Sequence, residues 1–271
     1  MSFMPRAKLS VVIAALAANL ALLLAGCSTT PVDDTAGWSP SKIYAEAKYE
    51  VAAGAYEKAI VLFDKLEGRA AGTPLGQQAQ MDKAYAHYKS GESAQALATI
   101  ERFLKLHPAS PALDYALYLK GIVNFNDDLG MLSAITRQDL SERDQKAAKE
   151  SFESFKDLVT RFPQSRYTPD ANQRMAYITN SLADYEIHVA RYYFARGAYV
   201  AAINRAQVAV ADHANTPSVE EALMILTKSY DALGMTQLRD DARRILAKNY
   251  PQSPYLTGGV KAKTDPWWKV W

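Results

Sequence analysis

Few residues in this 271-residue chain have the types and spacing that chemistry requires. The most distinctive is its one cysteine, Cys27, which closes the run Leu24-Ala25-Gly26-Cys27. A thiol can be acylated, oxidised or bound to a metal, but with no second cysteine an intramolecular disulfide is excluded. The other candidates are His87, His107, His188 and His213. None lies within three or four residues of another, and none belongs to an H-E-x-x-H pattern. No G-x-S-x-G, phosphate-binding loop or G-x-G-x-x-G occurs either. Asp127-Asp128 could attract a cation, but a hard cation needs about six or more oxygen ligands, so a solvated loop is the better reading. His107 precedes Pro108 and reads as a helix end, where a cation suits the dipole. The sequence therefore predicts no catalytic residue, no metal and no cofactor: this is not an enzyme.

The surroundings of Cys27 say what its thiol is for. Basic Arg6 and Lys8 precede an apolar run of 16 residues, Leu9 to Leu24, interrupted by Ser10 and Asn19. A membrane span needs about 20. The layout is that of a secretory signal peptide covering residues 1–26, with small residues at the cut. The cut falls before a cysteine, and the stretch resembles a bacterial lipobox. That resemblance implies S-diacylglycerol on Cys27 and an acyl group on its new amine. One acyl chain binds a bilayer reversibly, whereas two or three hold it effectively permanently. Ser28 stands where such lipoproteins carry an aspartate for inner-membrane retention, which points by analogy to the outer membrane and its periplasmic face. Residues 27–40 read as the lipidated N-terminus and a polar linker, with a mean reach of roughly 20 Å. The net charge of +2 gives no reason to invoke nucleic acid.

After Pro40 the apolar residues recur at spacings of three and four, and strand signals vanish, so the expected class is all-α. Glycine and proline set a period. Gly54 and Gly91 lie 37 residues apart, as do Gly197 and Gly234, and the steps Pro74–Gly91–Pro108 and Pro217–Gly234–Pro251 are all 17 residues. Each step fits one helix and a turn. The turns read Gly54-Ala55-Tyr56 with Ala59, Gly91-Glu92-Ser93 with Ala96, and Gly197-Ala198-Tyr199 with Ala202. They resemble the tetratricopeptide repeat, whose period is about 34. The expected architecture is a solenoid of five repeats, about ten helices, with N-terminal repeats 1–3 at 41–168, C-terminal repeats 4–5 at 169–256 and a tail at 257–271. Asn126 to Gln145 reads as an insertion. Ala171, Met175, Ile178, Leu182, Tyr185, Val189 and Tyr192 step by fours and threes with no Gly or Pro among them. That predicts one helix of about 28 residues, roughly 42 Å long, in the fourth unit.

A helical solenoid presents a long face suited to binding. In tetratricopeptide repeats that face comes from the first helix of each unit. Counting from the glycines gives three rows: Tyr44, Lys48 and Val51; Met81, Tyr85 and Tyr88; Tyr115, Leu119 and Ile122. With Lys89 nearby, they suit an extended peptide carrying aromatic side chains and a free carboxylate, although large residues at these spacings also simply pack between helices. The tail adds Trp267, Trp268 and Trp271, unusual for a disordered end; they suit a pocket on a partner or on the solenoid itself, or the membrane interface.

Nearly the whole mature chain resembles the lipoprotein subunits of the outer-membrane β-barrel assembly machinery. The resemblance is carried by Arg143-Asp144 through Ala147, Phe152, Phe155 and Leu158 to Phe162-Pro163-Gln164-Ser165-Arg166-Tyr167 and Asp170-Ala171. Its second part is Tyr192-Tyr193-Phe194-Ala195-Arg196-Gly197-Ala198-Tyr199-Val200-Ala201-Ala202-Ile203-Asn204-Arg205. It implies a non-enzymatic scaffold. The N-terminal repeats would receive C-terminal segments of unfolded outer-membrane proteins. The C-terminal repeats would dock a BamA-type barrel subunit, with other assembly-complex lipoproteins bound as well. Carried over by motif, Arg196 and Arg205 are the partner-contact candidates, Arg205 preferred, against a mere intrahelical pair with a nearby acid. The alternative is a tetratricopeptide-repeat pilotin lipoprotein for secretin assembly.

Overall fold

A computed structural model describes residues 33–125 and 145–257. Cys27, Asp127-Asp128, the insertion up to Asp144 and the three tail tryptophans lie outside the described residues. The described chain is helical throughout: α1 Pro40–Ala52, α2 Tyr56–Arg69, α3 Pro74–Lys89, α4 Ser93–Leu106, α5 Leu113–Asn124, α6 Gln145–Arg161, α7 Thr168–Ala195, α8 Tyr199–Asp212, α9 Ser218–Ala232 and α10 Thr236–Asn249, then a 3-10 turn Pro254–Thr257. Each helix packs on the next, and first helices also meet across pairs, α1 on α3, α3 on α5 and α7 on α9. This is the expected all-α array of five helix pairs, with the long helix, α7, opening the fourth. None of the described helices is long and apolar enough to cross a membrane.

The punctuation works as its chemistry dictates. Ser39 and Thr73 cap α1 and α3, each accepting from a backbone N–H three residues on, with Pro40 and Pro74 in the first turn where no donor is missed. The turns inside pairs run through left-handed glycines, Gly54 at φ 77° and Gly197 at φ 74° among them, a conformation any Cβ would strain. Ala59, Ala96 and Ala202, which follow three of these glycines, are fully buried, so no larger side chain fits there. The fifth pair departs: Arg239 takes the corresponding place and pairs with Asp231 and Asp240 on the surface.

Four apolar clusters follow one another along the array, one for each junction rather than one central core. The predicted seam of α7 holds in its first half, where Ala171 and Ile178 are buried against α5 and α6. In its second half the buried residues are Ala183, Glu186, Ile187 and Ala190, so Tyr185, Val189 and Tyr192 turn partly outward. The reason is geometric. A strict seven-residue pattern drifts by about 20° per heptad on a straight helix, and the second half packs on α8 and α9 instead.

Candidate functional site

The first helices of the second and third pairs, with the entry to the fourth, enclose a cleft of about 460 Å³. It is lined by Gln78 and Asp82 from α3, Ala112, Asp114 and Tyr115 at the start of α5, and Arg166 and Tyr167 just before α7. Asp82 anchors one wall and is nearly buried. Its carboxylate accepts from the Tyr44 hydroxyl at 2.8 Å, from Lys48 at 3.2 Å and from Gln78 at 3.3 Å, tying α1 to α3. On the other wall Ser165 donates to Asp114 at 2.7 Å, and the Arg166 guanidinium sits 4.7 Å over the Tyr167 ring and donates to its hydroxyl.

Behind that wall stands an aromatic ladder. Tyr167 stacks on Tyr118 at 4.6 Å and lies 5.6 Å from Tyr115. The Tyr118 hydroxyl donates to Asp170 at 2.8 Å, and Arg174 donates to the same carboxylate at 2.7 Å. Burial pushes Asp170 up, but these two donors outweigh it and hold the carboxyl below its ordinary value. Burial raises the phenols of Tyr44, Tyr115 and Tyr118 above their ordinary value; Asp82 reinforces this at Tyr44 and Tyr115, and Asp170 at Tyr118. All three are therefore neutral at physiological pH, and Tyr44 and Tyr118 donate to those carboxylates.

The expected rows divide on inspection. Tyr44, Lys48, Tyr85, Tyr88, Lys89 and Tyr115 remain partly or fully exposed. Met81 and Leu119 do not: at 1% and 3% exposure they pack inside the second cluster and cannot line a groove. Val51 and Ile122 are half-buried against neighbouring clusters. On α3 the cleft is lined by Gln78 and Asp82, with Asp82 one residue from the expected Met81; on α5 the expected Tyr115 lines it, and Tyr118, one residue from Leu119, stands behind. Lys48 is not an open cation, since Asp82 engages it. Asp82, Asp114 and Tyr118 were missed. Arg166 and Tyr167 stood in the Phe162–Tyr167 motif, and that position next to a pair boundary was the available signal.

Asp82→Ala is expected to cost about 2 kcal/mol by leaving the Tyr44 hydroxyl unpaired between helices. It should lower the midpoint of urea unfolding without changing its slope.

The partner-contact candidates differ in kind. Arg205 reaches across from α8 to Glu186 on α7 at 3.2 Å, and Glu186 is nearly buried. Its pair is interhelical rather than intrahelical. Arg196 is exposed at the end of α7, 4.5 Å over the Tyr192 ring. Arg205→Ala should therefore destabilise the fourth pair, because an uncompensated buried carboxylate remains, while Arg196→Ala should leave the melting temperature within about 1 °C. Parallel melting and partner pull-down of the two variants check this. Of the histidines, His87 pairs with Glu92 at 2.5 Å, His107 ends α4 beside Phe103, His213 ends α8 and His188 is exposed. Among the described residues no group of acids, histidines or cysteines could hold a metal ion.

A family model described as "Outer membrane lipoprotein", YfiO, matches residues 37–245. The chain is 45% identical over 261 residues to "Outer membrane protein assembly factor BamD" of Neisseria meningitidis, covering 94% of this chain and 98% of that one. It is 34% identical over 227 residues to the protein of the same name in Vibrio cholerae, covering 84% and 94%. A Xylella fastidiosa relative of that name is 34% identical, covering 88% and 81%. A solved structure of TPR-like repeats from a Podosopora anserina putative kinesin light chain aligns with 79% of this chain at 18% identity and a TM-score of 0.35. The matches extend across nearly the whole chain, and the chain belongs to the YfiO outer membrane lipoproteins, among the non-enzymatic assembly factors named BamD.

Proposed function

We infer that the chain is a lipid-anchored scaffold of the outer-membrane assembly complex, assisting the insertion of β-barrel proteins. Its cleft across pairs two to four receives the extended C-terminal segment of an unfolded outer-membrane protein. The observation that carries this reading is the cleft's chemistry. Arg166 offers a guanidinium to a terminal carboxylate. Tyr115, backed by the Tyr167 ring, gives an aromatic side chain an apolar wall to pack on. Asp82 and Asp114 can accept from peptide N–H groups. Acids and a base together in one cleft fit a peptide better than a lone anion.

In the same reading Cys27 carries the lipid. Arg196 and Arg205, with Trp267, Trp268 and Trp271, contact a BamA-type barrel subunit and other lipoproteins of the complex. The pilotin alternative, which the repeats alone left open, gives way to the family match.

The test is peptide affinity by fluorescence anisotropy. A C-terminal peptide of an outer-membrane protein should bind Arg166→Glu about tenfold or more weakly than the unaltered chain. Amidating the peptide's carboxylate should weaken binding to the unaltered chain similarly, with little further loss in the variant. Equal affinity of the variant for both peptides and no loss relative to the unaltered chain would remove the cleft from the account.

A further inference from the structure

The segment ahead of α1 is not the loose linker its composition suggests. Asp33 is tied to α2 from two directions: it accepts from Lys65 at 2.6 Å through one carboxylate oxygen and from Arg69 at 2.6 Å through the other. Thr35 donates to the same carboxylate through its N–H, at 3.1 Å, and through its hydroxyl, at 2.7 Å. Arg69 donates in turn to the Thr35 carbonyl at 2.6 Å and to its hydroxyl at 3.1 Å. Thr35 is nearly buried beneath these contacts. Backbone turns from Asp33 to Ala36 and from Thr35 to Trp38 close the segment on itself. Trp38 packs on the first apolar cluster, with the Lys42 ammonium 4.3 Å over its ring. A network of this kind, with one carboxylate serving two cations and a buried threonine, is worth more than an isolated surface pair.

The consequence is one of reach. From Cys27 to Asp33 is six residue steps, at most about 20 Å fully extended. A linker free as far as Pro40 would have 13 steps, about 45 Å. A lipid on Cys27 thus holds the clamped end of the first repeat within roughly 20 Å of its own attachment point. Around Asp33, where the described chain begins, the surface carries Trp38, Lys42, Lys65 and Arg69 beside Asp33 and Asp34. An amphipathic indole beside cations suits the headgroup layer of a bilayer.

We propose that the Asp33–Thr35–Arg69–Lys65 clamp seats the N-terminal tip of the solenoid, at Trp38 and Lys42, on the lipid headgroups of the membrane that anchors it. The clamp thereby sets the orientation of the array and not only its distance. This rests on the lipidation of Cys27 argued above. Lipidation supplies the tether, and the clamp makes it short enough to choose a face.

The test uses the full lipidated chain in vesicles of phosphatidylethanolamine and phosphatidylglycerol carrying a headgroup-attached quencher. A fluorophore is placed at Ser41→Cys, near the clamp, or at Lys248→Cys on the far α10; acylated Cys27 offers no thiol to label. Quenching is expected to be several-fold stronger at 41 than at 248. Asp33→Ala should reduce quenching at 41 at least about twofold with the chain still vesicle-bound. A second change leaves every described contact in place: ten Gly/Ser residues inserted between Thr30 and Pro31 lengthen the mean tether from about 13 Å to about 22 Å and should give the same loss. Vesicle-bound protein quenched equally at both positions, or quenching at 41 that neither change reduces, would overturn the clamp while leaving lipidation standing. Protein that fails to bind vesicles at all would overturn the lipidation, and the clamp proposal with it.

Discussion

Phe155→Ala is expected to cost about 4 kcal/mol, with the loss concentrated in the third helix pair. Phe155 of α6 is fully buried, and its ring fills the space above Gly121 of α5, where an added Cβ would clash with it. Ser151, one turn earlier and also fully buried, donates to the Gly121 carbonyl at 2.8 Å, so the two helices are fastened at their closest approach. The connection between α5 and α6 runs through residues 126–144, outside the described residues; among the described residues, the ring over the missing Cβ is what lets the two helices approach. Gly121→Ala alone should cost about 1–3 kcal/mol by overpacking. In the Phe155→Ala background it should cost almost nothing, because the cavity takes the methyl group. That non-additivity, read in urea melts of the four proteins of a double-mutant cycle, distinguishes a shared contact from two independent defects. The effect reaches the cleft as well. Tyr118 packs on Phe155 at 6.1 Å and stacks on Tyr167, so Phe155→Ala should also weaken peptide binding.

Cys27→Ser is expected to move the chain almost completely from the membrane fraction to the soluble one, while far-ultraviolet circular dichroism and melting temperature stay unchanged. The four apolar clusters that hold the array are complete within residues 33–125 and 145–257, so the fold is expected to survive the change. The membrane has a large one, since losing two or three acyl chains removes an effectively permanent anchor. Detergent-phase partitioning of the two proteins reads the result directly. Assembly of outer-membrane barrels should fall in parallel. Full function of the serine variant at native expression would mean that the complex, rather than the lipid, is the anchor that matters.

The parts of this molecule that were legible in the sequence are those that backbone chemistry dictates. Gly54, Gly91, Gly197 and Gly234 mark turns because their φ is positive, and the prolines mark pair boundaries because they cannot continue a helix. From these the pair count and the 28-residue α7 follow. The face of each helix was less legible. A helix packed on two neighbours has no single apolar stripe: α3 buries Ala79, Gln80, Met81, Asp82, Lys83 and Ala84 in succession. Periodicity cannot then say which row faces outward, so the expected row landed on Met81 instead of Asp82, and on Leu119 instead of Tyr118. One residue is about 100° of rotation, enough to turn a groove residue into a core one. The Asp33 clamp was invisible for another reason. Its partners lie 32 and 36 residues away, and a polar linker containing proline and glycine gives no sign that one carboxylate will find two cations.

The central claim is that the first-helix cleft, and not another face of the array, holds unfolded outer-membrane protein. Site-specific photocrosslinking in cells tests it most directly. A photoreactive residue at Tyr115, in the cleft, is compared with one at Leu106, which is 60% exposed on the second helix of its pair. The account predicts crosslinks from position 115 to the C-terminal segments of nascent outer-membrane proteins, and few or none from position 106. Equal crosslinking from both positions, or capture from 106 alone, would contradict it.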